Sequence, residues 1–272
     1  MDNDLIKRIL IKIRRKAAKM IGRKTGFLPA GNKIVSFTFD DFPLTAIENG
    51  ARLLEAHKVR GTFYSSLGLA GTNSPVGMIG TQRDMLALSE RGHECGCHTF
   101  GHINCAESSS EVVREDCLGN QHAAKQIANL HFHSFAYPYG AFNVSSKRVI
   151  SSLYRSARSI EPGINADKID LAALKSVALS ESTGLIKLKR WLGELNDSGG
   201  WLIFFSHDIT KTPSEWGCSI GLFEQILEET IDKKFQITTV TETIQRVRLA
   251  SRGQPSLPQS SLRQHQVLCA SL

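Results

Sequence analysis

No apolar run in this 272-residue sequence approaches the roughly 18 to 20 residues that cross a bilayer. Near the start there is also no apolar core of about 7 to 15 residues with a small-residue cleavage site, as a secretory leader has. A cytoplasmic protein is therefore expected. The Pro-Cys-x-x-Cys of nucleobase zinc deaminases is missing, as is the His-Glu-x-x-His of metalloproteases. There is no internal repeat. Net positive charge is absent beyond one segment. Residues 1–24 hold nine Lys or Arg against two Asp, while the rest of the chain carries 24 of each sign. The formal net charge of +7 and the pI of 9.2 thus describe that segment and not a basic domain. No nucleic-acid partner is expected, because such binding wants basic residues across a folded surface.

The segment itself has a pattern. Ile6, Ile9, Leu10, Ile13, Ala17, Met20 and Ile21 share one face at helical spacing, and Lys7, Arg8, Lys12, Arg14, Arg15, Lys16 and Lys19 share the other. A basic amphipathic helix of this kind lies on anionic membrane surfaces. Peripheral contact at the inner face of the membrane is expected through residues 5–21, the plainer alternative being a helix packed on the domain. Deleting residues 1–24 should abolish sedimentation with anionic vesicles; undiminished binding would refute the membrane reading.

Hydrophobic content of 41% and charged content of 22% fit a globular domain. The six cysteines, Cys95, Cys97, Cys105, Cys117, Cys218 and Cys269, are expected to be free thiols. From residue 33 the chain alternates apolar runs with amphipathic stretches. KIVSFTFDD, GTFYSSLGLA, HECGCHTF, HSFAYPYG, RSARSI, WLIFFSHDI and QITTV read as strands. LTAIENGARLLEAHKV, TQRDMLALSERG, SSSEVVREDCLGNQHAAKQIANL, SSKRVISSLY, GLIKLKRWLGELNDSGG, GLFEQILEETIDKK and TETIQRVRLA read as helices. Such alternation implies parallel strands with helices outside, and about seven strands suit a barrel. The expected organisation is an N-terminal helix and linker at 1–30, a catalytic domain at 31–250, and a polar, disordered tail at 251–272.

Active-site groups of an α/β barrel collect where strands end. Four expected strand ends carry unusual polar residues: Asp40-Asp41; His98, with His102 beyond; Tyr137-Pro138-Tyr139-Gly140; and Ser206-His207-Asp208. Each has a plain reading alone. Paired Asp often cap turns, two spaced His can be surface residues, and Tyr-Pro-Tyr-Gly is a turn. Together, each at a strand end, they are the parts of a metal hydrolase. Cys97 neighbours His98 in its strand and should point to the opposite face, with Cys95 on the same side as Cys97.

In TFDD (38–41), HTFGH (98–102), YPYG (137–140) and FFSHD (204–208), with RGHECG ahead of the histidines, the chain resembles the polysaccharide deacetylase family, also called the NodB homology domain or carbohydrate esterase family 4, over residues 33–245. The resemblance implies an α/β fold, a distorted (β/α)7 barrel, one divalent metal, and hydrolysis of N-acetyl groups on sugars. It implies that Asp41, His98 and His102 bind the metal, Asp40 is the base, His207 is the general acid, and the backbone N–H of Tyr139 holds the oxyanion. Phe205 stands where the family has a leucine lining the acetyl pocket. Tyr137, Pro138 and Trp216 are assigned to substrate binding, Trp216 by stacking on sugar. Zinc is expected, with cobalt or nickel as alternatives, and the partner is an N-acetylated glycan or glycolipid.

Two departures stand out. The family's arginine two residues before the motif proline, which pairs with the base, is Ala136 here, and Arg158 at the next strand end is the expected substitute. RSIEPGIN stands in place of the family's fourth motif, with Glu161 or Asn165 as assistants to the acid. The alternatives are an O-acetyl esterase or small-amide hydrolase on the same site, and a non-catalytic glycan-binding protein that retains a structural metal.

Overall fold

The computed structural model describes residues 18, 20–29 and 31–249. The expected N-terminal amphipathic helix, apart from its last residues, the polar tail and Cys269 lie outside the described residues. Thirteen strands are found among those described: β1 (Thr25–Leu28), β2 (Lys33–Phe39), β3 (Thr62–Ser65), β4 (Asn73–Ser74), β5 (Gly77–Met78), β6 (Glu94–Cys97), β7 (Ser134–Ala136), β8 (Ser156–Arg158), β9 (Asp167–Asp170), β10 (Val177–Ala178), β11 (Gly200–Ser206), β12 (Gln236–Ile237) and β13 (Arg248–Leu249).

The main sheet runs β10-β11-β2-β3-β6-β7-β8, with β12 added to β2, and every pair in it is parallel. It curls into a half-barrel with helices around it. Between its end strands β8 and β10 the closure is thin: a parallel bridge joins Arg158 to Leu174, and the Ser159 N–H donates to the Leu174 carbonyl at 2.8 Å. A parallel sheet is covered on both faces, so its strands read as continuous apolar runs. β2 (KIVSFTF) is buried at every position after Lys33, and β11 (GWLIFFS) at all but Phe205. Alternation then divides the residues. Phe37, Phe39, Phe63 and Phe204 join Phe223, Leu188 and Leu192 from the helices Ile220–Asp232 and Leu185–Ser198 in the outer core. Ile34, Trp201 and Ile203 form a smaller inner core.

That inner core is capped by an element the sequence pattern did not reveal. β1, β9 and β13 form an antiparallel sheet in the order β13-β1-β9, and Leu28 and Ile169, with Val247 just before β13, cluster with Trp201. Residues 25–28, read as linker, are thus part of the fold. Residues 248–249, read as the end of a last helix, are a strand pairing with β1, and that helix is only Val240–Ile244. The segment read as one helix after Asp41 opens with a π-helical turn, Ala46–Ala51, before the short α-helix Arg52–Ala56. Elsewhere the signals hold locally. The Thr81 hydroxyl and Asp84 form a capping box at the helix Gln82–Glu90, and Ser109 caps the helix Ser110–Ala128.

Candidate metal and catalytic site

Because the strands of the main sheet are parallel, their carboxyl ends lie along one rim. β2 delivers Asp40 and Asp41 there, β6 delivers His98, β7 leads into the Tyr137–Gly140 turn, β8 ends on Arg158, and β11 delivers His207. Asp41, Thr99, His102 and Tyr139 have φ of 63°, 62°, 54° and 58°. Left-handed backbone at non-glycine residues costs energy and gathers at functional sites. Here it turns each chain sharply, so that neighbouring side chains face one point.

That point is bounded by Asp41, His98 and His102, whose ligand atoms all lie within 4.8 Å of one another. Asp41 Oδ1 is 3.4 Å from His98 Nε2 and 3.1 Å from His102 Nε2. Asp41 Oδ1 is nevertheless buried without a well-formed hydrogen bond. The reason lies behind the histidines. Nδ1 of His98 donates to the Ala136 carbonyl at 2.8 Å, and because a carbonyl only accepts, Nε2 carries a lone pair toward Asp41. Nδ1 of His102 meets the Tyr139 hydroxyl at 3.1 Å. A carboxylate oxygen facing a nitrogen lone pair is repulsive unless a cation lies between them. The donor set therefore fits a divalent metal: two imidazoles and one carboxylate, with their outer nitrogens held by second partners.

Asp40 is oriented differently. It is 4% exposed, and Nη2 of Arg158 donates to both of its carboxylate oxygens. Burial pushes its carboxyl pKa up, but the charge and hydrogen bonds of Arg158, foremost among its neighbours, hold it below the usual carboxylate range. Burial drives His98 the other way, down to about 4, which keeps it neutral as a ligand must be. Nδ1 of His207 lies 3.3 Å from the Trp216 carbonyl, which can only accept from it, so Nε2 is left for the site. Trp216 is 44% exposed, its ring 6.4 Å from that of His207, which places it at the rim.

Several assignments change. Tyr137 is not at the surface. It is 1% exposed, stacks on Phe142, and its hydroxyl donates to the Ala172 carbonyl at 3.0 Å, so its side chain belongs to the core. Pro138 is buried too and shapes the turn rather than offering a face. Asn165 is not available to assist His207. Its side chain donates to the Lys175 and Trp201 carbonyls and accepts from the Lys175 N–H. Glu161 lines a cleft of about 380 Å³ with Gly140, Ile160, Lys168 and Lys175, which contains none of the metal-facing residues. Trp201 is fully buried and donates to Ser36 Oγ at 2.9 Å. His93 is buried, with Nε2 2.9 Å from the Glu55 carboxylate. Cys95 and Cys97 lie in the outer core, opposite His98.

Two further carboxylates hold the loops of the site in place. The Asp116 carboxylate accepts from the backbone N–H groups of Phe100 and Gly101, the latter at 3.2 Å, and so pins the loop between His98 and His102. Asp208 accepts from the Ser214 N–H at 2.8 Å and from its hydroxyl, which steadies the loop carrying Trp216. Asp116 sits mid-helix, where nothing in its neighbourhood marks it. Asp208 directly follows His207, and a serine six residues on is the one local sign of its role.

A family model described as polysaccharide deacetylase matches residues 28–155, a span holding the metal-facing triad and Asp40 but ending before Arg158 and His207. The peptidoglycan-N-acetylglucosamine deacetylase PgdA of Listeria monocytogenes is 28% identical, over 58% of this chain and 36% of that protein. The chain spans less than half the length of the curated relatives it matches. Among solved structures, a chitin deacetylase from the fungal pathogen Colletotrichum lindemuthianum superposes with a TM-score of 0.59 at 18% identity, covering 79% of this chain and 89% of that one. A pseudoenzyme of carbohydrate esterase family 4 from Bacillus anthracis does so with a TM-score of 0.57 at 14% identity, covering 79% and 66%. These likenesses speak to the fold. The pseudoenzyme shows that the fold alone does not confer turnover, so activity has to be argued from side chains.

Proposed function

The chain belongs to the polysaccharide deacetylase family, and on that premise we propose that it is a metal-dependent hydrolase removing N-acetyl groups from N-acetylhexosamine units of a glycan or glycolipid. One observation carries the reading. Asp40 and His207, which do not belong to the metal-ligand triad, directly follow the register pair Phe39–Ser206 of β2 and β11, and the Asp40 N–H donates to the Ser206 carbonyl at 2.9 Å, so both stand at the same rim. A site kept only to hold a structural cation has no use for His207 beside it.

Asp41, His98 and His102 would hold the cation, zinc first among divalent metals for a His2Asp set, with cobalt or nickel as alternatives. When bound, it supplies Lewis acidity toward the acetyl carbonyl and toward the attacking water. Asp40, kept ionised by Arg158, accepts the water's proton on a carboxylate oxygen. The Tyr139 N–H donates to the carbonyl oxygen as negative charge builds on it. His207 gives the proton on Nε2 to the departing amine nitrogen, while its Nδ1–H stays with the Trp216 carbonyl. The exposed Trp216 ring would stack on a sugar. No helix among the described residues is long and apolar enough to cross a membrane. A lipid-linked substrate met at the membrane surface would depend on residues 5–21.

Ala136, which removes the base's usual partner, is what would favour the non-catalytic reading. Arg158 supplies that partner, which favours turnover. The test is His207→Ala with acetate release from N-acetylated oligosaccharides. A loss in kcat of about a hundredfold to a thousandfold, with KM little changed, is expected for a missing general acid. Retained kcat would remove His207 from the mechanism. Release of acetate from sugar esters but not from acetamides would move the substrate to O-acetyl groups.

A further inference from the structure

Arg158 reaches Asp40 from an unusual direction, and its surroundings show how. Ala136 on β7 and Arg158 on β8 are register partners in a parallel pair, so their side chains lie side by side on the inner face. The small side chain at 136 leaves room there for a long one from the next strand. Arg158 is 1% exposed. Its Nη2 is taken by Asp40, while its Nη1 has only long contacts, 3.3 Å to the Ser159 carbonyl and 3.4 Å to Ser176 Oγ. Its Nε is buried with no acceptor. Hydrogen bonds therefore leave the plane of the guanidinium under-determined. What remains is aromatic: the guanidinium carbon is 4.8 Å from the centre of the Phe205 ring and 5.5 Å from that of Tyr64. The Tyr64 ring in turn occupies space that only a glycine leaves, since a Cβ on Gly96 would come within 2.5 Å of it.

We propose that Phe205 is a positioning residue for the catalytic base: with Tyr64 it clamps the guanidinium of Arg158 onto Asp40, which allows the arginine to come from β8 while Ala136 stays small. A buried cation over an aromatic face is held by the ring quadrupole, and a branched aliphatic side chain fills the space without that attraction. Phe205, assigned from the sequence to the acetyl pocket, thereby acts on the base. Ala136 and Phe205 become two parts of one exchange rather than separate departures. The kinetic consequence rests on the deacetylase reading; the clamp itself does not.

The experiment is a double-mutant cycle of Phe205→Leu and Arg158→Ala in the full chain, read by acetate release and by denaturant unfolding. Phe205→Leu should lower kcat about tenfold when Arg158 is present and by less than about twofold when it is absent, with metal content unchanged. In unfolding, the two substitutions together should cost less than the sum of each. Additive unfolding losses overturn the clamp. Coupled unfolding with additive kinetic losses leaves the rings as packing and overturns the positioning role. A wild-type chain that releases no acetate overturns the deacetylase reading instead, and the unfolding cycle still decides the clamp. Should Arg158→Ala not fold, Arg158→Gln replaces it in both arms.

Discussion

Asp40→Asn is expected to lower turnover by about a thousandfold or more while leaving the metal bound. The amide has nearly the size of the carboxylate and its oxygen can still accept from Arg158, but it cannot take a proton from water. Asp41, the neighbour that faces both histidines, is untouched, so metal stoichiometry should stay at that of the wild type. The substitution has a second cost. Arg158 is buried, and removing its counter-charge leaves an unpaired cation in the half-barrel, a loss of about 3–5 kcal/mol of stability. Assays therefore belong below the lowered unfolding midpoint, with circular dichroism as a check on folding. Turnover within about tenfold of the wild type in a folded, metal-loaded variant would end the assignment of Asp40 as base.

The second large effect is on the metal. Asp41→Ala removes the one carboxylate facing both His98 and His102, and metal affinity should fall by at least about a hundredfold. Cys97→Ser provides the contrast. Cys97 is the immediate neighbour of His98, but its sulfur lies on the far side of the strand, where it accepts from Asn120 Nδ2 at 3.2 Å. Its replacement should leave metal affinity unchanged. Isothermal titration of the metal-free proteins with zinc separates the two. Loss of binding in Cys97→Ser with retention in Asp41→Ala would reassign the third ligand.

The contrast between Asp41 and Cys97 also shows what the sequence can carry. Alternation along β6 was enough to send His98 and Cys97 to opposite faces, because a buried strand has no freedom in that respect. β2 and β11 were legible as continuous apolar runs, and their ends located Asp40, Asp41 and His207. Arg158 could be named because it closes the strand next to Ala136, although only the register of β7 and β8 shows that the two side chains share one space. Tyr137 failed for a related reason. β7 is three residues long, and the turn after it buries Tyr137 and Pro138 and then turns Tyr139 out to the rim. Only the backbone reveals that Tyr139 faces outward and Tyr137 inward. The antiparallel cap was illegible: Thr25–Leu28, Asp167–Asp170 and Arg248–Leu249 are too short to show a period. What holds them is pairing between segments more than a hundred residues apart. Asp116 escaped because its role is to accept from a loop elsewhere in the chain, a contact that no local pattern encodes.

Metal dependence of acetate release is the most direct measurement of the account. The chain is stripped with a chelator, assayed against a panel of N-acetylated glycans and glycolipids, and assayed again after titration with zinc, cobalt or nickel. Acetate should be released only by the reloaded protein, with activity saturating at one metal per chain and absent from Asp41→Ala under the same titration. Release by the stripped protein, or a fully loaded protein that releases no acetate from any member of the panel, would contradict it.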